Sequence, residues 1–457
     1  MTPPYTLPED AELRARVARL MPRLERELER LVRIPSVAFP GFPTAPLREA
    51  AEATAALLRD AGLPRVDLVA VPGSPPLVYG ERPPAAGAAT VLLYAHYDVQ
   101  PSGDENAWTE APFAPLRRDN RLYGRGTADD KSGIILHLGA LLALGDTCPL
   151  GIKVLIEGEE EVGLGHLESY VVTHPELVTA DAIIVADGGN LTLGTPTLTT
   201  SLRGLTAVDV TVRTLASPLH SGTFGGAAPD ALIALTRIIA SLHDDEGNVA
   251  VAGLNRIEYT GAPYEEPLYR AHTGVLTDVE LIGSGSIAER LYARPSINVI
   301  GIDAPRVDGS LNALVPEARA RISVRLAPGQ DSDAAYEAVV RHIRTVTPWS
   351  VAVTIARAGS GEGFLARTDG RAYQAAETAL CAAFGRDVVH VGQGGSIPLV
   401  AALQRLVPAA EIILWGAEEP ECRIHAPDES VDLGELERCT LAETLLLAAL
   451  AAPPATG

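Results

Sequence analysis

Short, continuous apolar runs recur toward both ends of the chain and predict buried strands. Polar or glycine-rich residues bound each run, as expected of strands covered on both faces of a sheet. Helical patterns alternate with these runs, beginning with an opening apolar stripe that Pro22 is expected to kink or divide. The predicted strands are Val91–Tyr94, Val154–Ile156, Ile183–Val185 and Ile412–Trp415, and the clearest helices are Ile134–Leu144 and Thr440–Ala451. This alternation predicts an α/β domain with a mostly parallel sheet flanked by helices.

The middle of the chain has a different pattern. Ala207–Val212 and Ala320–Leu326 alternate strictly between apolar and polar residues, which predicts half-exposed antiparallel strands. Helical patterns begin at Pro229 and span Asp333–Ile343, and a last strand is expected at Val351–Ile355. This part of the chain is therefore expected to be an α+β insertion within the α/β domain.

These patterns set the expected domain organisation. A discontinuous α/β domain is expected to surround the insertion. Two segments are expected to be long loops, one because it is rich in proline and glycine and the other because it has few helix or strand patterns. The expected domain segments are residues 1–202, 203–358 and 359–457. The expected loops are Val71–Ala89 and Gly261–Pro295.

Composition narrows the possible partners. The 457 residues include 58 acidic and 37 basic side chains, and the formal charge of −21 opposes binding to nucleic acid or to anionic membranes. The chain is 47% hydrophobic with a mean hydropathy of +0.13, and it has no long uncharged apolar run and no amino-terminal signal pattern. Four scattered cysteines predict no disulfide framework. We expect a cytoplasmic protein.

Acidic and imidazole side chains follow the predicted buried strands. Open α/β sheets place their sites at the carboxyl ends of strands. His96 and Asp98 follow the first run two positions apart, so an extended backbone directs both side chains to one face. This pairing indicates a metal ligand, His96, whose imidazole ring is held by Asp98. A buried, hydrogen-bonded histidine is the alternative interpretation.

Three consecutive glutamates directly follow the second predicted strand. Their like charges would repel one another there unless a cation compensated them. Adjacent carboxylates point in different directions, so one can bind metal while its neighbour reaches a water molecule. We interpret Glu161 as a ligand and Glu160 as the general base and acid. The alternative is a solvated acidic loop.

Asp129, Asp187 and His425 complete the candidate ligand set. Asp129 lies in a glycine-rich turn before a predicted helix, where a helix cap is the alternative role. Asp187 follows the third run and precedes Gly188 and Gly189, which allow close backbone approach; an ordinary turn aspartate is its alternative. His425 follows the fourth run and is otherwise a surface histidine. The five ligands predict two divalent ions per chain, zinc first, with cobalt or manganese as alternatives.

Several longer motifs resemble one family of di-zinc metallopeptidases. That family includes carnosine dipeptidases, glutamate carboxypeptidases, aminoacylases and succinyl-diaminopimelate desuccinylases, and the resemblance covers nearly the whole chain. It is strongest for the dipeptidase branch. The motifs are YAHYDVQP, LYGRGTADDKSG, EGEEEVG, LHSGTFGG, RPSINVIGI, ISVRLAPGQ and GGSIP.

The resemblance implies a division of labour at the site. Asp129 would bridge both ions, with His96 and Asp187 on one and with Glu161 and His425 on the other. A non-proline cis peptide is expected between Asp129 and Asp130. The inserted domain would act as a lid and form a homodimer.

Substrate contacts are expected mainly from the insertion. His220, in LHSGTFGG, matches a family histidine that crosses to the partner's active site and stabilises the developing oxyanion, with an ordinary surface histidine as the alternative. Arg325 lies on the non-core face of its strand and is suited to a substrate carboxylate, with a solvated sheet face as the alternative. The turn of Gly394, Gly395 and Ser396 precedes a helix at Pro398, so its amides are placed to bind the same anion.

These features predict an enzyme that hydrolyses the amide bond of dipeptides or similar small peptides. An N-acyl amino acid deacylase or desuccinylase is the nearest alternative, because the same metals cleave any accessible amide. A non-catalytic, metal-dependent binding protein is an alternative of another class. It should have lost Glu160 or a ligand, whereas this sequence keeps all of them.

Overall fold

The structure is a computed structural model that describes residues 10–146, 148–395 and 397–452. The chain divides into two compact units. The first comprises Met1–Thr200, Ala366–Val391 and Pro398–Gly457, and the second comprises Ser201–Leu365 and Gly392–Ile397. None of the described helices combines the length and the apolar character that a bilayer crossing requires.

Strands and helices alternate in the first unit, whereas strands dominate the second. The strands are β1 (Arg65–Val69), β2 (Leu77–Arg82), β3 (Thr90–His96), β4 (Leu116–Arg118), β5 (Arg121–Tyr123), β6 (Gly151–Glu157), β7 (Ala182–Val185), β8 (Thr197–Leu202), β9 (Gly204–Arg213), β10 (Leu219–His220), β11 (Ser296–Asp303), β12 (Ala313–Leu314), β13 (Glu317–Leu326), β14 (Ala352–Gly361), β15 (Phe364–Leu365), β16 (Val389–Gln393), β17 (Glu411–Leu414) and β18 (Ser430–Asp432). The helices are α1 (Asp10–Val32), α2 (Ala45–Asp60), α3 (Lys131–Leu144), α4 (His166–Thr173), α5 (Ser221–Phe224), α6 (Ala231–Ala240), α7 (Glu266–Thr273), α8 (Ser332–Val346), α9 (Arg371–Phe384), α10 (Pro398–Leu406) and α11 (Leu433–Ala451).

Parallel strands form the centre of the large sheet in the first unit. The order is β1-β2-β6-β3-β7-β17-β8. β6, β3, β7 and β17 are mutually parallel, while the outer strands pair antiparallel. The central strands are buried along almost their whole length, as their continuous apolar runs predicted. The predicted α/β architecture is confirmed, with its parallel strands at the centre of the sheet.

Helices α1, α3, α9 and α11 pack together in the first unit. α3 is buried along nearly its whole length and contacts both α1 and α11. The buried residues of α1 recur every three or four positions, which is the stripe that the sequence predicted. Pro22 does not divide α1. Its side chain lies on the exposed face of the helix, so the ring does not disturb the buried face that packs against the core.

An antiparallel sheet forms the core of the second unit. Its order is β11-β13-β9-β14, and every pairing is antiparallel. Burial alternates residue by residue along β13, as the strict apolar–polar alternation predicted. Apolar side chains from the buried face of the sheet pack with those of α6 and α8 in one cluster. The predicted α+β character of this segment is confirmed.

Three local predictions were wrong. The helix expected at Pro229 begins at Ala231, because the side chain of Asp230 accepts the backbone N–H of Ile233 and caps it. The segment expected to be a loop at Val71–Ala89 contains β2, which pairs with β1 and β6. The segment Gly261–Pro295 likewise contains α7.

We predict that Asp230→Ala destabilises the protein more than Asp331→Ala does. Both aspartates cap a helix, at 3.0 Å for Asp230 and 2.7 Å for Asp331, but Asp230 also accepts the backbone N–H of Val315 at 2.6 Å. Loss of a cap costs about 1 kcal/mol and loss of the second bond about 1 kcal/mol more. Thermal unfolding should show the larger fall in Tm for Asp230→Ala. Equal shifts would mean that the bond to Val315 contributes nothing.

Candidate metal centre

The carboxyl ends of the parallel strands bring the candidate ligands together in the first unit. β3 ends at His96, and the three glutamates follow the end of β6. Asp187 follows β7, and Glu418 follows β17. Because these strands are parallel neighbours, the residues that follow them lie at one edge of the sheet.

Asp129 lies between two histidines. Its Oδ1 is 3.1 Å from His96 Nε2, and its Oδ2 is 2.9 Å from His425 Nε2. His425 Nε2 is also 3.3 Å from Glu161 Oε2. Each oxygen of one carboxylate therefore faces a different imidazole ring, which is the arrangement that a carboxylate shared by two cations requires.

Three groups of potential ligand atoms surround this carboxylate, and within each group the atoms lie within 4.8 Å of one another. The structure brings together all five predicted ligands, and it places Glu160 among them as well. The groups are His96, Glu160 and Asp187; Asp129, Glu161 and His425; and Asp129, Asp187 and Glu418.

Asp98 connects the histidine strand to the glutamate loop. Its carboxylate is fully buried and lies 3.4 Å from His96 Nδ1, while the backbone oxygen of the same residue lies closer, at 3.0 Å. The two carboxylate oxygens accept the backbone N–H groups of Glu160 and Glu161, each at 3.2 Å. Asp98 thus contacts the imidazole that it was expected to hold, and it also holds the loop that carries Glu160 and Glu161.

The turn that carries Asp129 contains the expected cis peptide bond between Asp129 and Asp130. Asp130 is fully buried, and its carboxylate accepts the backbone N–H groups of His96 and Gly133, both at 3.2 Å. The cap of α3 is therefore Asp130, and Asp129 is left to face the histidines.

Sequence reasoning missed two buried glutamates. Glu418 Oε1 is buried and has no hydrogen-bond partner within residues 10–146, 148–395 and 397–452. Like the predicted ligands, it follows a buried strand, and that signal could have identified it. Glu429 accepts the backbone N–H groups of Gly126, Ala128 and Asp129 and pairs with Arg125 at 2.5 Å.

The site concentrates negative charge in a poorly solvated place. Burial and the nearby Asp187 raise the pKa of Glu160 well above its usual range, and burial raises the pKa of Asp187 to about 7. Burial and the nearby Asp129 do the same for the pKa of Glu418. Hydrogen bonds with Asp129 and Glu161 raise the pKa of His425 to about 10. These residues fit divalent cations, because a cation compensates the crowded carboxylates and gives Glu418 Oε1 a partner.

The remaining predicted residues belong to the second unit. His220 is exposed, and its Nδ1 accepts the backbone N–H of Thr223 at 3.2 Å. Arg325 lies in β13 and is half-buried, and it forms no ion pair within the described part of the chain. Its neighbours Arg319 and Arg321 both pair with Asp209. Gly394 and Gly395 lie in a bend before α10, and Ser396 lies outside the described residues.

Comparison with known proteins agrees with this geometry. The sequence profile described as peptidase family M20/M25/M40 matches residues 92–449. The chain is 40% identical over 380 residues to a cysteinylglycine-S-conjugate dipeptidase of Corynebacterium striatum, across 81% of this chain and 83% of that protein. It is 27% identical over 395 residues to a Cys-Gly metallodipeptidase of Schizosaccharomyces pombe, across 82% of each chain.

Solved structures share the fold. The crystal structure of human carnosine dipeptidase 1 superposes with a TM-score of 0.81 at 24% identity, covering 98% of this chain and 100% of that one. The family profile spans most of the chain and includes every candidate ligand, from His96 to His425. The chain is therefore a metallopeptidase that belongs to peptidase family M20/M25/M40.

Proposed function

We propose that the protein hydrolyses the amide bond of dipeptides or similar small peptides with the help of two divalent ions. The observation that carries this proposal is the position of Asp129, whose two carboxylate oxygens face His96 and His425 at 3.1 and 2.9 Å. The dipeptidases to which the chain is similar support the substrate class.

The ligands divide into two sets around Asp129. His96 and Asp187 would hold one ion, Glu161 and His425 the other, and Asp129 both. Zinc suits these nitrogen and oxygen donors, with cobalt or manganese as alternatives. Such a pair of ions, when bound, supplies a polarised carbonyl and an activated water. The carboxylate of Glu418 lies in one group of potential ligand atoms with Asp129 and Asp187.

Glu160 is the proton carrier in this proposal. It lies beside His96 and Asp187, and its backbone is fixed by Asp98 at 3.2 Å. Burial raises the pKa of its carboxyl group, so the group holds a proton more readily than an exposed glutamate does. Its carboxylate would take the proton of the attacking water and return it to the leaving amine.

Substrate anchoring is assigned to residues of the second unit. Arg325 has a half-buried guanidinium without an ion-pair partner in the described part of the chain, which suits the carboxylate of a small peptide. The amides of Gly394, Gly395 and Ser396 would bind the same anion, and His220 would donate to the developing oxyanion. We further propose that residues 203–358 form a lid through which a cytoplasmic homodimer assembles.

A substrate panel tests this function. Metal-reconstituted protein is incubated with dipeptides, N-acyl amino acids and N-succinyl amino acids, each with and without a chelator, and products are separated by chromatography. We expect chelator-sensitive release of both amino acids from dipeptides. Cleavage confined to acyl or succinyl substrates would replace the proposal with a deacylase or desuccinylase.

We predict that Glu160→Gln lowers kcat by about 10²–10⁴-fold without removing the metals. The amide keeps the size of the side chain but cannot accept the proton of water. Metal content, measured by plasma mass spectrometry, should stay near two ions per chain. Glu176→Gln, which changes an exposed glutamate of the same unit, is the matched control and should keep full activity. An inactive Glu160→Gln that has also lost its metals would identify Glu160 as a ligand instead.

Asp129→Asn should remove the metals themselves. Asparagine has one neutral side-chain oxygen, whereas the aspartate has two charged oxygens, each facing a different histidine. We therefore expect the metal content to fall well below two ions per chain. The exposed Asp387→Asn serves as the control. Circular dichroism checks that both variants are folded. Wild-type metal content in Asp129→Asn would rule out a shared carboxylate.

A further inference from the structure

A cavity of about 360 Å³ lies within the second unit. Residues between His243 and Asn298 line it, and they come from the α6–β11 connection and the start of β11. None of these lining residues is among the candidate catalytic or metal-binding residues. The volume lies in the range of cavities that bind small organic molecules.

The cavity is rich in positive charge. Arg256, Arg290 and Arg294 line it, against a single acidic lining residue, the exposed Glu280. This balance is the reverse of the whole chain, which has 58 acidic and 37 basic residues. A cavity of this sign within a strongly acidic protein favours an anionic ligand over a cationic one.

Neutral carbonyl groups hold the arginines in place. Nη1 of Arg290 donates to the backbone oxygens of Ile282 at 3.0 Å and Gly283 at 3.4 Å, and Nη2 of Arg256 donates to that of Val249 at 3.2 Å. Neither arginine forms an ion pair within the described residues. A guanidinium has five N–H donors, so these bonds orient the group and leave donors and charge for a ligand.

Arg294 is partly compensated. Its Nη2 lies 3.5 Å from a carboxylate oxygen of Glu289, and its Nη1 bonds to Ser284. The guanidinium of Arg256 also interacts electrostatically with the Asp244 carboxylate. The charge available to a ligand therefore comes mainly from Arg290 and in part from Arg256.

Aliphatic side chains form the rest of the walls. Val275, Leu281 and Leu291 are partly buried around the cavity, and Ile287 and Ile297 are buried. The lining residue Ile282 is 70% exposed. Apolar walls combined with a few oriented cationic groups match a molecule that has an apolar body and one anionic end.

We propose that this cavity binds a small organic carboxylate with an aliphatic body of about six to ten carbons. The carboxylate accepts N–H donors of Arg256 and Arg290, and the aliphatic body packs against the valine, leucine and isoleucine side chains. The lining shares no residue with the proposed peptide-hydrolysing centre, and the proposal does not depend on that function.

Calorimetric titration with three eight-carbon probes tests the site. Octanoate, octan-1-ol and octylamine share the aliphatic body and differ in the charge of the end group. On the metal-loaded protein we expect saturable binding of octanoate to one site per chain, weaker binding of octan-1-ol and none of octylamine. Equal binding of octanoate and octylamine, or no saturable binding of octanoate, overturns the proposal.

Two variants address the cavity by different routes. Arg256→Met removes one guanidinium and should weaken octanoate binding about tenfold, the usual effect of losing a charge-assisted hydrogen bond. Val275→Phe fills space without a change of charge and should weaken both octanoate and octan-1-ol. Arg213→Met removes an exposed arginine of the same unit that does not line the cavity, and it should bind octanoate normally. Thermal unfolding checks that each variant is folded.

Titration of a further variant distinguishes octanoate binding in the cavity from octanoate binding at the metal centre. A carboxylate can also coordinate divalent ions, so Asp129→Asn is titrated in parallel and should bind octanoate as the wild type does. If Asp129→Asn loses octanoate binding while Arg256→Met and Val275→Phe keep it, the probe occupies the metal centre and the cavity proposal is wrong.

Discussion

Compensation of buried negative charge is the constraint on which the first unit depends. Parallel strands end at one edge of the sheet, and the residues that follow them carry Glu160, Asp187 and Glu418 toward Asp129. In a poorly solvated site such charges repel, and the raised pKa values of Glu160, Asp187 and Glu418 express that cost. Two histidines relieve part of it at Asp129. The proposed cations would relieve the rest of the repulsion. The acidic cluster is thus the reason to expect cations, and bound cations would account for the cluster.

A second set of buried carboxylates accepts hydrogen bonds from backbone N–H groups and is not proposed to bind the cations. Asp98 holds two N–H groups of the glutamate loop, and Asp130 holds those of His96 and Gly133. Glu429 holds three N–H groups around the turn of Asp129. The segments that carry His96, Asp129 and Glu161 are therefore fixed by main-chain hydrogen bonds to carboxylates other than the candidate ligands. This division keeps the ligand atoms close together despite their mutual repulsion.

Much of the fold and of the metal centre could be predicted because the signals are local. A buried parallel strand is a continuous apolar run, and an acid or histidine directly after it must lie at the sheet edge. His96, Glu161 and Asp187 were each selected in this way, and the structure brings them together, while their roles as ligands stay predictions. The strict alternation in β9 and β13 likewise distinguished the second sheet from the first. The division of roles between Glu160 and Glu161 came from their adjacency and from the family resemblance, and it stays a prediction.

The misses share a physical origin, which is that the deciding partner is distant in sequence. β2 lies in a segment rich in proline and glycine and becomes a strand through its pairing with β1 and β6. Glu418 and Glu419 are neighbours in an acidic loop, yet Glu419 pairs with Arg121 at 2.6 Å while Glu418 faces Asp129 and Asp187.

What separates these two glutamates is a backbone contact. Glu418 forms a parallel bridge with Gly189, two residues after Asp187. A Cβ atom at Gly189 would lie 2.7 Å from the backbone oxygen of Glu418, so the approach requires glycine there. The glycines after Asp187 were interpreted from the sequence as permitting close backbone approach. The structure identifies the approaching segment as the one that carries the Glu418 carboxylate into the site.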